Sequence, residues 1–241
     1  MMTLPDIQPG DPAAGLPFPF GLGRAGVHEL AEAGFGDYPA LTGFALAAVR
    51  EAGRAGACLW IRQAAMVREH GRLSGRGLAS FGLDPGRLLL VEAKTRLEAL
   101  RATEEACRAR DGLAAVIAEL DDMDFTASRR LGLACQAGRT PLVLMFPHMR
   151  SGATAAAGRW RVSARPSAPD PYDARAPGRP VWRAVLEKSR LRPGEAGQVF
   201  DVEFHHETPC LRLVPGLAAR PSAPQPRRVG AGEAGVWRHA G

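Results

Sequence analysis

Two groups of side chains in this sequence have the chemistry to bind a metal ion. Three aspartates lie within residues 121–124, and His205 and His206 stand close to Cys210. A calcium loop needs ligands at alternate positions, a glycine bend and a distal glutamate, which the aspartate run lacks. Adjacent histidines on a strand point to opposite faces, so they do not converge on one ion. We therefore predict no metal site and no cofactor, and we interpret the aspartates as stabilising the start of a helix.

Basic and aromatic residues dominate the last third of the chain. The formal net charge is +6, and residues 150–241 carry 15 basic and 8 acidic groups. Arginine and tryptophan alternate at 159–161 and 181–183, and again at 236–238. Such side chains can stack on nucleic acid or anchor a protein interface, and alternation along an edge strand gives the same pattern. We identify four possible partner-binding residues here: Arg159, Trp160, Arg161 and Trp182.

Short apolar runs alternate with helical patterns through the first two thirds of the chain. The runs at 57–61, 88–91, 113–120 and 141–146 predict strands buried on both faces. Helices are predicted over 39–52, 64–80, 95–110 and 126–138, the last with Asp124 or Thr126 as N-cap. Beyond residue 158, alternating polar and apolar residues predict an antiparallel extension of the sheet. The order of elements indicates an α/β domain with a mostly parallel central sheet.

Several segments occur in an order that resembles the core of RecA recombinases. They are GRAGVHEL (23–30), ACLWI, GLDPGRLLLV (82–91), LAAVIAEL and PLVLMFPHMR (141–150). Together with LWIRQ and TASRRL (126–131), this order is most similar to the ImuA family, RecA-like and SulA-like proteins of bacterial mutagenesis operons. The resemblance covers roughly residues 20–205 and implies a RecA-like fold.

The nucleotide site that the resemblance implies is degenerate. A phosphate-binding loop needs glycines, a lysine for the β- and γ-phosphates and a Ser or Thr for Mg²⁺. Glu32 stands near the first motif glycine, and Tyr38 and Pro39 occupy the positions of the lysine and the threonine. Gly34 and Gly36 remain, but an acidic mouth without lysine repels a triphosphate.

The other catalytic positions that the resemblance implies have changed as well. Ala64 replaces the glutamate that activates water, and His148 replaces a nucleotide-sensing glutamine. Glu119 ends the strand that carries the metal-binding acid, and we expect it to hydrogen-bond the degenerate loop. The two DNA-binding loops are reduced to 121–125 and 151–158. Lys188 and Arg190 match a cation pair that RecA proteins direct across the subunit interface, so they join the possible partner-binding residues.

The resemblance implies a role in damage-induced translesion synthesis and mutagenesis during the SOS response. ImuA proteins work with ImuB, an inactive Y-family polymerase homologue, and with an error-prone DNA polymerase subunit. We expect a non-catalytic accessory protein that bridges or regulates these partners, with RecA as a further partner and DNA contacted indirectly or weakly. One alternative is a SulA-like inhibitor of the filament-forming division GTPase. Another is a divergent NTPase that uses Glu119 with a cation supplied by a partner.

Composition divides the chain into three parts. Residues 1–20 are expected to form a flexible N-terminus, 21–213 the RecA-like domain, and 214–241 a Pro/Arg-rich disordered tail. No apolar run is long enough to span a membrane, and the N-terminus has neither the basic start nor the apolar core of a signal peptide. We therefore expect a cytoplasmic protein without membrane contact.

Overall fold

The computed structural model describes residues 18–24, 26–109, 112–170, 172–173 and 175–214. Nine strands of this part of the chain form one sheet in the order β3-β2-β4-β5-β1-β6-β7-β8-β9. The strands are β1 (Val27–Glu32), β2 (Ala57–Gln63), β3 (Leu88–Ala93), β4 (Leu113–Glu119), β5 (Leu142–Phe146), β6 (Gly158–Arg165), β7 (Val181–Ser189), β8 (Val199–His205) and β9 (Cys210–Leu213).

The first six strands of this order run parallel. β1 is buried at all six positions, and its Leu30 aligns with Met145 of β5 on one side and Trp160 of β6 on the other. A parallel sheet of this kind is covered on both faces, which explains the continuous apolar runs in the sequence. β6 to β9 then pair antiparallel. β9, at the far edge, was not predicted. The architecture confirms the predicted α/β class, with a mostly parallel central sheet flanked by helices and an antiparallel C-terminal extension.

Five helices in the described residues cover the two faces of the sheet. α1 is Tyr38–Ala52, with Pro39 in its first turn and Gly53 in the left-handed conformation after its end, as helix-end preferences predict. α5 begins after Asp124, whose carboxylate accepts a hydrogen bond from the Ala127 N–H, which confirms the predicted N-cap. The bounds of the others are α2 (Ala64–His70), α3 (Gly75–Ser80), α4 (Arg96–Arg108) and α5 (Phe125–Gly138).

The single helix predicted over residues 64–80 is wrong. The structure has two short helices there, because Gly71 takes φ +79° and ends α2, while Ser74 caps α3 by accepting a hydrogen bond from the Gly77 N–H. The side-chain periodicity passes through this break unchanged, so the pattern alone did not reveal it.

The sheet separates two apolar cores. α1 packs with Trp60, Trp160 and Trp182 on one face, and α4 and α5 pack against Ile61, Val116 and other strand residues on the opposite face. Trp60 and Phe44 are fully buried, as the sequence predicted.

β3 departs from the prediction that its run is buried on both faces. It is the edge strand beside β2, and Leu89 and Leu90 are 53% and 55% exposed. Helices that cover the centre of a sheet do not reach its last strand on both sides, so an apolar run there stays accessible.

The predicted chain ends fall largely outside the described residues, which exclude 1–17 and 215–241. Phe18 and Phe20, placed by the prediction in the flexible N-terminus, pack against Trp160 and Phe200 with ring centroids 5.2–6.1 Å apart. The packed domain therefore includes Phe18. No helix among the described residues combines the length and apolar character needed to span a membrane.

Candidate functional site

The predicted nucleotide-site residues come from the carboxyl ends of β1 and β4 and the first turn of α1. This edge is where open α/β sheets bind ligands. The structure brings Gly36, Tyr38, Pro39 and Glu119 together around one cavity of about 440 Å³. Arg62, His70 and residues 71–74 complete much of its wall. The sequence therefore identified where these side chains meet, and their contacts determine which ligands the cavity can bind.

Asp37 closes the loop between β1 and α1. Its Oδ2 accepts a hydrogen bond from the Gly34 N–H at 3.1 Å, and its Oδ1 accepts one from the Ala164 N–H of β6 at 3.0 Å. A phosphate-binding loop directs such backbone N–H groups at the ligand. Here the Gly34 N–H is already bonded to a carboxylate of the same loop, and the negative charge at the mouth opposes an anion.

Tyr38 fills the position where the resemblance placed a lysine. Its side chain is buried, and its ring stacks on His70 with centroids 3.6 Å apart and planes within 6°. Burial raises the pKa of the Tyr38 phenol well above its usual range, and the nearby Glu119 carboxylate adds to the rise. The phenol therefore stays neutral, and the site contains an aromatic pair in place of a cation.

Glu119 is held by the neighbouring strand. Arg62 of β2 donates from Nε to Oε1 at 2.8 Å and from Nη2 to Oε2 at 3.0 Å, and Trp60 Nε1 donates to Oε1 at 2.7 Å. Glu119 and Arg62 are 1% and 4% exposed. We expected Glu119 to hydrogen-bond the degenerate loop, and the Tyr38 phenol of that segment does lie beside its carboxylate. The hydrogen bonds given above join Glu119 to β2, because β2 and β4 are adjacent in register and Arg62 lies opposite it. Both carboxylate oxygens are occupied by the protein itself.

Glu32 is buried at the end of β1 and pairs with the turn after β5. Its Oε1 lies 3.1 Å from the His148 backbone N, which donates to it, and 3.2 Å from His148 Nδ1. His148, which the resemblance places at a nucleotide-sensing position, thus contacts Glu32, which the resemblance places near the first loop glycine. The exposed Phe35 ring lies edge-on to His148, with centroids 6.1 Å apart.

A second buried carboxylate, Glu29, was missed by the sequence reasoning. Arg159 Nε donates to its Oε2 at 2.8 Å, Arg150 Nη2 to its Oε1 at 3.1 Å, and Thr154 Oγ1 to its Oε1 at 2.5 Å. Glu29 is fully buried, and both arginines are nearly so. A charged residue inside an otherwise buried strand was the available signal, because buried charges need partners. The same signal marks Arg62 within ACLWIRQ.

The segment corresponding to the second DNA-binding loop is tied to the protein. The Ala155 N–H donates to Ser128 Oγ at 3.0 Å, and Arg190 Nη1 donates to the Ala155 carbonyl at 3.1 Å. Arg159 Nη1 donates to the Gly152 carbonyl at 2.8 Å. These bonds hold backbone groups of residues 152 and 155 against side chains from outside the segment.

Four of the six residues proposed for partner binding are corrected by the structure. Trp160, Trp182 and Arg159 are at most 4% exposed and belong to the interior. Arg161 pairs with Glu187 at 2.8 Å and donates to the His148 and Arg150 carbonyls. The alternation that suggested an exposed edge strand belongs to two interior strands, since β6 and β7 have neighbours on both sides. Lys188 and Arg190 are exposed, and their role in partner binding stays a prediction.

The two clusters considered for metal binding have other partners. Asp121 accepts from Arg96 Nε at 2.6 Å and from Gln63 Nε2 at 3.0 Å. Burial alone would raise the pKa of this carboxyl, but the contacts with Arg96 and Gln63 together outweigh it and lower the pKa. His205 lies 2.7 Å from Glu203, whereas His206 Nδ1 lies 2.8 Å from the Ser80 carbonyl. Within the described residues, no group of three His, Cys, Asp or Glu side chains is placed to hold a metal ion.

Comparison with known proteins finds relatives among both curated sequences and solved structures. Protein ImuA from two strains of Caulobacter vibrioides is 34% identical over 232 residues, covering 89% of this chain and 91% of the relative. The crystal structure of SulA from Pseudomonas aeruginosa covers 50% of this chain and 97% of its own, at 24% identity and TM-score 0.41. The crystal structure of a KaiC-like protein from Pyrococcus horikoshii covers 79% of this chain and 89% of its own, at 13% identity and TM-score 0.41.

No family model matches the chain. The match to ImuA spans nearly all of both proteins, and it contains the strands and the degenerate loop described above. The chain belongs to the ImuA family.

Proposed function

We propose that this protein is a non-catalytic, RecA-like accessory protein of SOS-induced translesion DNA synthesis and mutagenesis. In this proposal it acts in the cytoplasm and bridges or regulates an ImuB-type inactive polymerase homologue and an error-prone DNA polymerase, with RecA as a further partner. Membership of the ImuA family supports a role linked to DNA damage. DNA itself is contacted indirectly or weakly.

The observation that carries the non-catalytic part is the pairing of Glu119. A working site needs this acid to orient a hydrated Mg²⁺ ion beside a nucleotide. Here Arg62 and Trp60 donate to both of its oxygens, and the lysine position holds Tyr38 stacked on His70. Opening the site would require a buried ion pair to be broken, which is costly.

The surface that best suits a protein partner is the exposed edge of β3. Leu89, Leu90 and Val91 of this strand are 53%, 55% and 37% exposed, and Leu97 of α4 is 56% exposed. Natural sheets usually protect such edges with charges, proline or a covering element. An edge strand with apolar side chains can receive a strand from another protein, whose main-chain hydrogen bonds then extend the sheet.

Ultraviolet-induced mutation frequency in a deletion strain tests the proposal. The strain is complemented with the wild-type gene, with Leu90→Lys on the β3 edge, or with Leu133→Lys as a matched control on α5, where Leu133 is 59% exposed. We expect deletion and Leu90→Lys to reduce induced mutagenesis toward the spontaneous level, and Leu133→Lys to restore it. Unchanged mutagenesis on deletion would contradict the proposed role.

Cell length and nucleotide turnover separate the alternatives. Loss of damage-induced filamentation with normal mutagenesis would favour the SulA-like division inhibitor. NTP hydrolysis by the purified protein that disappears in Glu119→Gln would favour a divergent NTPase. We expect cells of normal length and no turnover, and tight Mg²⁺-dependent ATP binding would contradict the non-catalytic role.

A further inference from the structure

A second cavity lies at the amino edge of the sheet, away from the degenerate nucleotide site. It has a volume of about 330 Å³, within the usual range of small-molecule sites. It is formed where α1 ends and β2, β3 and β4 begin, with the turn after α3 as its rim. Nothing in the nucleotide-site arrangement reaches this edge, so the cavity needs an explanation of its own.

The cavity is strongly cationic. Arg50, Arg54 and Arg87 line it, against one acidic residue, Asp84. The Asp84 Oδ1 atom is engaged by the Gly86 N–H at 2.8 Å. Within residues 18–214 as described, none of the three guanidinium groups forms an ion pair, whereas Arg62, Arg150, Arg159 and Arg161 pair with carboxylates. The described lining therefore carries a net charge of two positive.

Arg54 is held in place by backbone carbonyls, whereas Arg50 has a buried donor without an acceptor among the described groups. Arg54 donates from Nε to the Ala114 carbonyl at 3.0 Å and from Nη2 to the Arg139 carbonyl at 3.3 Å. Arg50 Nε is buried and makes no hydrogen bond to another described group. Gly82, at φ +74°, approaches so closely that a Cβ there would lie 3.0 Å from this Nε atom. A buried donor without an acceptor is unfavourable, and an anion in the cavity beside Arg50 would offset the charge of this guanidinium group.

The remaining wall is apolar and uncharged. Val49, Leu78, Leu83 and Leu88 contribute aliphatic side chains, and Cys58 contributes a buried thiol. Burial raises the pKa of the Cys58 thiol to about 12, so it stays protonated at neutral pH. A ligand that fits must therefore carry an apolar body as well as negative charge.

We propose that this cavity binds an organic phosphate monoester with an apolar or aromatic body. A phosphate monoester carries about −1.5 to −2 charge at pH 7, which matches the lining better than a single carboxylate does. Arginine forks are suited to phosphate oxygens, and the aliphatic wall accommodates the rest of the molecule. The site is independent of the proposed mutagenesis role and gives this accessory protein a small-molecule ligand.

Isothermal titration calorimetry of the full chain with phenyl phosphate tests the assignment, with inorganic phosphate and benzoate as comparison ligands at constant ionic strength. We expect saturable 1:1 binding of phenyl phosphate that is about tenfold tighter than binding of either comparison ligand. Phenyl phosphate combines the dianion with an apolar ring, and each comparison ligand lacks one of these properties. Stronger binding of benzoate would overturn the phosphate assignment.

Three variants locate the binding. Arg87→Gln and Arg50→Gln should each weaken phenyl phosphate binding about tenfold, since each removes a charged donor to the phosphate. Arg101→Gln on α4 removes an exposed arginine outside the cavity and should leave binding unchanged. Arg87 is exposed, so its variant is expected to fold even where Arg50→Gln does not. No saturation below about 10 mM, or equal weakening by Arg101→Gln, would overturn the proposal.

Discussion

The buried acids Glu29 and Glu119 of the sheet form ion pairs, whereas the arginines that line the amino-edge cavity form none in the described residues. Glu119 at the carboxyl edge is held by Arg62, and the buried Glu29 in the middle of β1 is held by Arg150 and Arg159, with N–O distances of 2.7–3.1 Å. At the amino edge, Arg50, Arg54 and Arg87 surround a cavity without an ion pair in the described residues. A charged side chain that forms an ion pair within the protein binds an external ligand poorly. A charged side chain without an ion pair can still bind a ligand of opposite charge. Within one domain, the buried acids Glu29 and Glu119 have cationic partners inside the protein, whereas the arginines of the amino-edge cavity have no ion pair among the described residues.

The substitution with the largest expected effect on stability is Arg62→Met. The change leaves Glu119 buried without its cation, so we expect the free energy of unfolding to fall by about 3–5 kcal/mol. Urea denaturation followed by circular dichroism measures it. Replacing both partners, as Arg62→Met with Glu119→Leu, should recover most of the loss because no unpaired charge remains. A loss below about 1 kcal/mol for the single variant would contradict the view that this pair holds the edge closed.

Glu29→Gln should have a similar but smaller effect. It keeps the shape of the side chain while leaving Arg159 without a counter-charge and Arg150 with only the exposed Asp122 at 3.2 Å, and we expect a loss of about 3 kcal/mol. Glu105→Gln is the matched control, because Glu105 forms a helix-surface pair with Arg108 and is 76% exposed. That control should cost less than about 0.5 kcal/mol. If both variants lost the same free energy of unfolding in the same denaturation experiment, the buried Glu29 pairs would be no more stabilising than a surface ion pair.

Asp37→Ala tests the loop that replaces a phosphate-binding turn. It removes the acceptor for the Gly34 and Ala164 N–H groups, and we expect a loss of about 1–2 kcal/mol in thermal or urea unfolding. Asp37→Asn keeps one acceptor oxygen and should lose about half as much. If Asp37→Ala also gave tight ATP binding, Asp37 alone would be what keeps the loop from nucleotide, and the pairing of Glu119 would be secondary.

Arg87→Gln should have the smallest effect on stability. It tests the amino edge, where the arginines have no ion pair in the described residues. Arg87 is exposed and lacks an ion pair among the described residues, so the free energy of unfolding should change by no more than about 0.5 kcal/mol. Urea denaturation in phosphate-free buffer checks this. A loss above about 1.5 kcal/mol would mean that the chain already satisfies Arg87, and the two edges would no longer differ.

The sequence predicted which positions of the nucleotide site had changed but not what those residues contact. Tyr38 and Pro39 were visible as replacements for a lysine and a threonine, and Glu119 as the end of a buried strand. The partners of Glu119 depend on β2 lying beside β4, a pairing between segments about 57 residues apart. Such pairing follows from sheet order, which local periodicity does not encode.

The arginine and tryptophan pattern of β6 and β7 shows where local reasoning failed. Alternation along a strand indicates that two faces differ, and the sequence suggested that one face met a partner. In the structure Trp160 and Trp182 point into the core beneath α1, and Arg159 pairs with Glu29. An interior strand and an exposed edge strand have the same alternation, so only the neighbours of the strand distinguish them.

The sequence by itself determined most of the elements, the fold class and the family. These properties depend on residue type, on periodicity and on the order of segments along the chain, all of which can be read without knowing the sheet order. The tertiary structure decided which charges are paired, which apolar strand forms the open edge and where three arginines without an ion pair in the described residues line a cavity. Those properties depend on distances between residues far apart in sequence, and they arise only when the sheet order is set.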